Sequence, residues 1–325
     1  MDGAGPGPEA VIETRGLRRV FKSRRRVVEA VVGVDLDVLR GEIFGFLGPN
    51  GAGKTTTLRM LATLLPPSGG TARVAGCDLA TQPGMIRERI GYVGQAGGSD
   101  PMITGRTELV LQGRLYGLSL AAARTRAAEL LAMLELDGAA DRNVGTYSGG
   151  QKRRLDIGLG LVHEPELLFL DEPTTGLDPQ SRARVWDEVR NMHDRGTTVF
   201  LTTHYLDEAD ALCDRVAIID YGKIVAAGSP AELKRAIAGD VVTFTIAGEQ
   251  ERALELVKGQ DFVREARLEN GSVQLYVDRG ELAMPAILRL LEGASLQLTA
   301  VELHRPSLDD VFLRQTGRSL REAAA

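Results

Sequence analysis

The stretch IFGFLGPNGAGKTTTLRML, residues 43–61, decides the architecture. Its first five residues, Ile43 to Leu47, are apolar and strand-like, and Thr56, Leu58, Arg59, Met60 and Leu61 begin a helix-forming segment. Between them Gly48, Gly53, Lys54 and Thr55 fit the pattern G-x-x-x-x-G-K-S/T. Glycines let such a loop curl so that its N–H groups point inward at phosphate oxygens. The helix that follows turns its positive end on the same anion. The run Gly48, Pro49, Asn50, Gly51, Ala52, Gly53, Lys54, Thr55 and Thr56 is therefore expected to cradle a nucleotide. Lys54 is placed to reach the β- and γ-phosphates, and the Thr55 hydroxyl to join the shell of a Mg²⁺ ion. The bland alternative is a glycine-rich strand-to-helix turn without a ligand, and the flanking strand and helix argue against it.

Two further runs carry chemistry. LLFLDEP, residues 167–173, is an apolar strand ending in two carboxylates. Hydrolysis at a γ-phosphate needs one group to hold the metal and another to orient or deprotonate water, because a metal-bound carboxylate is a poor base. Asp171 takes the first role and Glu172 the second; a strand end solvated by two acids is the alternative. YSGGQ, residues 147–151, precedes a helical stretch and makes a second anion-seeking helix start at Ser148, Gly149, Gly150 and Gln151. One nucleotide does not need two helix starts from distant parts of one chain. The simplest explanation is a γ-phosphate bound to another copy; an ordinary N-capped helix is the competing one.

Taken together, GPNGAGKTT, Gln95 after a strand, YSGGQ, LLFLDEP, TTGLDP and TTH resemble the nucleotide-binding subunit of an ABC transporter, over about residues 11–230. The resemblance implies an ATPase with ATP and Mg²⁺ as cofactors. It makes Gln95 the glutamine that touches the metal or the attacking water. It makes Ser148 to Gln151 the signature that completes the site of the opposite subunit in a head-to-tail homodimer. Gly176, Leu177 and Asp178 then form the loop between the two sites, and His204 is the switch histidine at the γ-phosphate. A histidine followed by acids, as in HYLDEAD, is ordinarily a surface or capping residue, but strand ends gather ligands in such sheets. Phe21 is the candidate for stacking on adenine; a core role on an edge strand is the alternative. Two positions depart from the family pattern: Tyr147 stands where Leu is usual, and Gly94 precedes Gln95. The stretch from Gly94 to Leu118 and the terminal PSLDDVFLRQTG further resemble daunorubicin-type resistance exporter ATPases. That implies efflux of a drug, antibiotic or other hydrophobic compound through a separate membrane permease, with this chain at the cytoplasmic face of the membrane.

Composition is consistent with this. The chain has 325 residues, 43% hydrophobic and 26% charged, enough for two globular domains. A net charge of −5 and only 5% aromatics give no bulk reason to bind nucleic acid. One nucleotide cassette and no sustained heptads also disfavour a soluble ribosome- or nucleic-acid-directed ATPase. The basic run from Lys22 to Arg26 is read as a solvated loop. Cys77 and Cys213 lack metal-ligand spacing and are read as small buried hydrophobes. No basic n-region opens the chain, and no window approaches 18 uninterrupted apolar residues.

The expected fold is α/β: a P-loop NTPase core with a mostly parallel sheet, an antiparallel N-terminal sheet from 11 to 39, and an inserted helical subdomain at about 100–160. Residues 1–10 read as a disordered tail and 11–238 as the ATP-binding domain. The character changes at 238–240. Beyond it the order βαββαβ, with a turn at Asn270–Gly271, predicts a small α+β ferredoxin-like accessory domain over 240–316, then a frayed tail at 317–325. That domain carries no chemical motif; sensing a ligand or buttressing a dimer are its open roles.

Overall fold

A computed structural model describes residues 9–22, 27–237, 240–269, 271–304 and 307–316. Residues 1–8 and 317–325, expected as tails, the arginines of the 22–26 run and Asn270 of the expected turn lie outside the described residues. Ala10, placed in the tail by sequence, already pairs with Leu39 as the first residue of a strand.

The chain separates into two compact units, one ending at Ala227 and the other beginning at Gly228. The first opens with two long strands, β1 (Ala10–Lys22) and β2 (Val27–Leu39), paired antiparallel. Then come β3 (Ile43–Leu47), α1 (Lys54–Leu61), β4 (Gly69–Val74), the two-residue β5 (Cys77–Asp78), α2 (Pro83–Arg89) and β6 (Ile90–Val93). Three helices follow, α3 (Gly105–Leu115), α4 (Leu120–Met133) and α5 (Gly149–Leu161), packed on one another. The unit closes with β7 (Leu167–Asp171), α6 (Pro179–Asp194), β8 (Thr198–Thr203), α7 (Leu206–Leu212), β9 (Arg215–Asp220) and β10 (Lys223–Gly228).

Its strands form an antiparallel sheet of order β2-β1-β4-β5 and a six-stranded sheet of order β10-β9-β3-β8-β7-β6. In the second, β9, β3, β8, β7 and β6 run parallel. Every residue of β3, β7 and β8 is buried, as expected where helices cover both faces and the strands are continuous apolar runs. Phe200 on β8 lies 5.6 Å from Phe44 and 5.6 Å from Phe169, ring centre to ring centre. One core joins Ile12, Leu17 and Val34 of the first sheet to Leu58 and Leu61 of α1 and the phenylalanines of the second. Both cysteines are buried and free. The helical pattern of 104–136 is broken by Gly117, at φ 88°, into α3 and α4, each started by a side-chain cap from Thr104 or Ser119. Among the described residues no helix is long and apolar enough to cross a membrane.

The second unit holds α8 (Pro230–Ile237), β11 (Asp240–Ile246), α9 (Gln250–Lys258), β12 (Val263–Glu269), β13 (Ser272–Val277), α10 (Gly280–Gly293), β14 (Leu298–His304) and α11 (Leu308–Thr316). Its sheet is antiparallel with order β12-β13-β11-β14, the ferredoxin-like arrangement of a βαββαβ chain. Alternation on β11 and β13 sends Val242, Phe244, Ile246, Val273, Leu275 and Val277 into a core shared with Ile287 and Leu291 of α10. The unit begins about ten residues before the change of character at 238–240, because α8 packs against α11 near the end of the same unit.

Candidate active site

Four of the parallel strands deliver their C-terminal ends to one place. After β3 the loop folds under α1, whose N-cap is Gly53 at φ 108°. Only glycine fits there: a Cβ would come 2.5 Å from the Ala30 carbonyl oxygen on β2. The Ala52 N–H donates to Pro49 O at 3.2 Å, and Ala52 O accepts from Gly222 N at 2.9 Å. No side chain caps α1, and Gly53, Lys54, Thr55 and Thr56 at its start line an open cavity. That cavity, of about 470 Å³, is lined by Asn50, Gly51, Gly53, Lys54, Thr55, Thr56, Gln95, Glu172 and His204, to which Ala30 and Thr175 are added.

Lys54 folds back across the loop. Its Nζ donates to Gly48 O at 2.7 Å and Pro49 O at 3.0 Å, and lies 3.4 Å from Glu172 Oε1. Burial pushes the Lys54 ammonium below its ordinary pKa, against the opposing pull of Glu172 and Asp171. Gly48, Pro49 and the buried Ala52 thus shape the loop rather than line the cavity.

At the end of β7, Asp171 is fully buried. Its Oδ1 accepts from Thr55 Oγ1 at 2.8 Å and from Thr202 Oγ1 at 2.7 Å, while its buried Oδ2 has no hydrogen-bond partner. Glu172 follows with a left-handed backbone, φ 46°, held by its N–H donating to Thr202 O and Oγ1. Its Oε2 accepts from Gln95 Nε2 at 3.2 Å and Thr175 Oγ1 at 3.1 Å, and lies 3.3 Å from His204 Nδ1. The histidine contact has ion-pair distance without hydrogen-bond alignment. Burial pushes the Glu172 carboxyl up, but His204 and the Lys54 charge outweigh it and hold it at about 2.

A Mg²⁺ ion suits this donor set. The hydroxyl of Thr55 and the unpartnered Oδ2 of Asp171 are hard oxygen ligands, and Mg²⁺ takes few protein ligands besides water and phosphate.

The remaining expected residues sit elsewhere in the chain. Ser148 caps α5 in a reciprocal box with Gln151, at 3.0 and 3.2 Å. Ser148, Gly150 and Gln151 line a separate cavity of about 250 Å³ with Arg154, Ser181 and Arg184; Gly149 is exposed beside Leu177. Asp178 caps α6, accepting from Ser181 N–H and Oγ, which lower its pKa. Tyr147 is buried, with its hydroxyl donating to Ala139 O at 2.7 Å. Phe21, at the end of β1, is outside the cavity lining, 39% exposed, with the Arg19 guanidinium 4.6 Å from its ring centre.

Sequence reading did not single out Thr202, Thr175 or Arg153. The threonines stand in the TTH and TTGLDP runs beside residues that were read, so adjacency was the available signal. Arg153, in the basic run KRR, looks like a solvated charge yet is 7% exposed.

A model of the ABC transporter family matches residues 31–175, and one of the C-terminal domain of DrrA1-3-like ATP-binding proteins matches residues 228–316. The daunorubicin/doxorubicin resistance ATP-binding protein DrrA of Streptomyces peucetius is 47% identical over 98% of this chain and 97% of its own length. The linearmycin resistance ATP-binding protein LnrL of Bacillus subtilis is 35% identical over 90% of this chain and 95% of its own. Among solved structures, a dimeric bacterial ABC transporter cassette superposes with a TM-score of 0.62 at 25% identity, covering 67% of this chain and 98% of that one. With identity of this extent over nearly its whole length, the chain belongs to the ATP-binding proteins of ABC transporters, which are ATPases.

Proposed function

We propose that ATP binds along residues 48–56 and is hydrolysed with Glu172 as the base, Gln95 and His204 orienting the reacting groups, and Thr55 and Asp171 holding Mg²⁺ with Gln95 beside it. The convergence of Lys54, Gln95, Thr175 and His204 on the Glu172 carboxylate is the observation that carries this reading. Mg²⁺ when bound neutralises charge on the β- and γ-phosphates. Lys54 leaves the carboxylate to meet the triphosphate, and Glu172, ionised at neutral pH, is then free to take a proton from water. His204 donates toward the γ-phosphate, and Gln95 fixes the water's orientation.

Two copies associate head to tail, so that Ser148, Gly149, Gly150 and Gln151 of one copy close on the nucleotide of the other, with Asp178 beside them. The separation of the two cavities within one chain supports this arrangement. The dimer drives a separate integral-membrane permease from the cytoplasmic face of the membrane and exports a drug, antibiotic or other hydrophobic compound. The names of the resistance relatives favour export. Residues 240–316, with α8 ahead of them, form an accessory domain.

The deciding experiment is Glu172→Gln in the purified chain. Turnover falls about 10²-fold or more, the usual contribution of a general base, while ATP binding persists and a dimer accumulates. Normal turnover by that variant defeats the assignment. Co-purification with a co-expressed permease tests the partner.

A further inference from the structure

The buried Arg153 makes three hydrogen bonds, all to main-chain carbonyls. Nη1 donates to Gly94 O at 2.7 Å, Nη2 to Asp171 O at 3.0 Å, and Nε to Pro173 O at 2.7 Å. Gly94 precedes Gln95, and Asp171 and Pro173 flank Glu172. One planar guanidinium therefore spans the backbone on either side of the carboxylate and the backbone leading into the glutamine that hydrogen-bonds it. A lysine, with one ammonium nitrogen, cannot reproduce that fork.

One helical turn further along α5, Asp156 holds the other end of the same loop. Its Oδ1 accepts from Gly98 N at 3.0 Å and Ser99 N at 3.1 Å. The loop presses on it closely: Gly97 has φ 75°, and a Cβ there would stand 2.5 Å from Asp156 Oδ2. Residues three apart on a helix share a face. Arg153 and Asp156 thus grip residues 94–99 at both ends from one face of the helix that Ser148 caps.

We propose that Arg153 and Asp156 are positioning residues, a clamp through which α5 sets Gln95 and Glu172 in register, so that a displacement of the signature helix is felt at the hydrolytic pair. This rests on Gln95 and Glu172 being that pair. The clamp acts through backbone and touches neither ATP nor water. Its loss misplaces the base without emptying the phosphate cradle, which is built from a different loop.

The test measures steady-state ATP hydrolysis, affinity for ATP and thermal midpoint on the full-length chain for R153K, D156A and E172Q. R153K and D156A are each expected to lower kcat tenfold or more, with ATP affinity within about threefold of wild type. A kcat within twofold of wild type in both clamp variants overturns the proposal. So does a loss of kcat matched by an equal loss of ATP affinity, which marks a merely structural role. If R153K fails to fold, D156A decides by the same criteria. E172Q separates the two readings: active E172Q defeats the assignment of the base, whereas inactive E172Q with normal R153K and D156A defeats the clamp alone.

Discussion

Lys54 Nζ lies 3.4 Å from Glu172 Oε1, with the two side chains 4% and 7% exposed. Behind the cavity lining Asp171 is fully buried, accepting from Thr55. A dense cluster of one cation and two acids away from water is stable only with each group partnered. Here the lysine also holds two loop carbonyls, Gly48 O and Pro49 O. On the proposed function, a triphosphate would take over those interactions, and the carboxylate would lose its cation at the moment a base is needed.

That pairing makes stability depend on pH. The Glu172 carboxyl is held at about 2 in the folded chain, below its ordinary value. A depressed carboxyl stabilises the fold above its unfolded pKa, and this contribution is lost as pH falls through the folded value. Its full size is on the order of 3 kcal/mol. The window is therefore between about pH 4.5 and 2. Melting midpoints of wild type and Glu172→Gln, followed across that window without nucleotide, should converge as the pH falls; curves that stay parallel rule out the linkage.

Thr202 carries two loads. Its hydroxyl donates to Asp171 Oδ1 at 2.7 Å and accepts from the Glu172 N–H at 3.0 Å. Thr202→Val keeps the shape but leaves both partners short of a bond in a buried place. The expected cost is about 1–3 kcal/mol of stability, read by urea unfolding, together with a higher Mg²⁺ requirement for hydrolysis. An unchanged Mg²⁺ requirement would separate Thr202 from the metal-binding carboxylate.

The strand–loop–helix at 43–61 and the carboxylates after β7 were readable because uninterrupted apolar runs announce buried parallel strands. Their ends then follow by position. Thr202 was not readable as a partner of Glu172, since the two meet only when the ends of β7 and β8 are brought side by side, and Thr175 reaches Glu172 only because the loop after β7 turns back on itself. Arg153 carries the same composition signal as any surface arginine, and only packing reveals that it is inside. The boundary at Gly228 was missed because α8 finds its partner in α11, far along the chain. Helices α2 and α7, seven residues each, span too few turns for periodicity to speak.

Ser148 separates a cap from a catalytic partner. As a cap alone, Ser148→Ala costs about 1 kcal/mol and little activity. In a head-to-tail dimer it also disables the other copy's site. Mixing Ser148→Ala with Lys54→Ala chains, each inactive alone, puts both lesions in one site of the mixed dimer and leaves the second site intact. Activity should reappear on mixing, in proportion to mixed dimer. If the mixture stays inactive while mixed dimers are demonstrably present, the exchange of signature and phosphate loop between copies is wrong.

Phe21 stands apart from the phosphate cavity, and the sheet ties it to the cavity's rim. It pairs with Val28 on β2, two residues before Ala30, which lines the cavity. At about 3.4 Å per residue that is a separation of roughly 7 Å along the ribbon, on the scale that ribose puts between phosphate and base. The ring is 39% exposed, enough to offer a surface to adenine while Arg19 lies over it. Stacking of a base on an aromatic is worth about 1–3 kcal/mol, so Phe21→Ala should weaken ATP binding by roughly 5- to 150-fold. Because the contact is remote from the γ-phosphate, it holds ground state and transition state alike: KM rises and kcat stays. Phe21→Trp should keep or improve affinity. Wild-type affinity in the alanine variant would leave Phe21 as a strand residue with no part in binding.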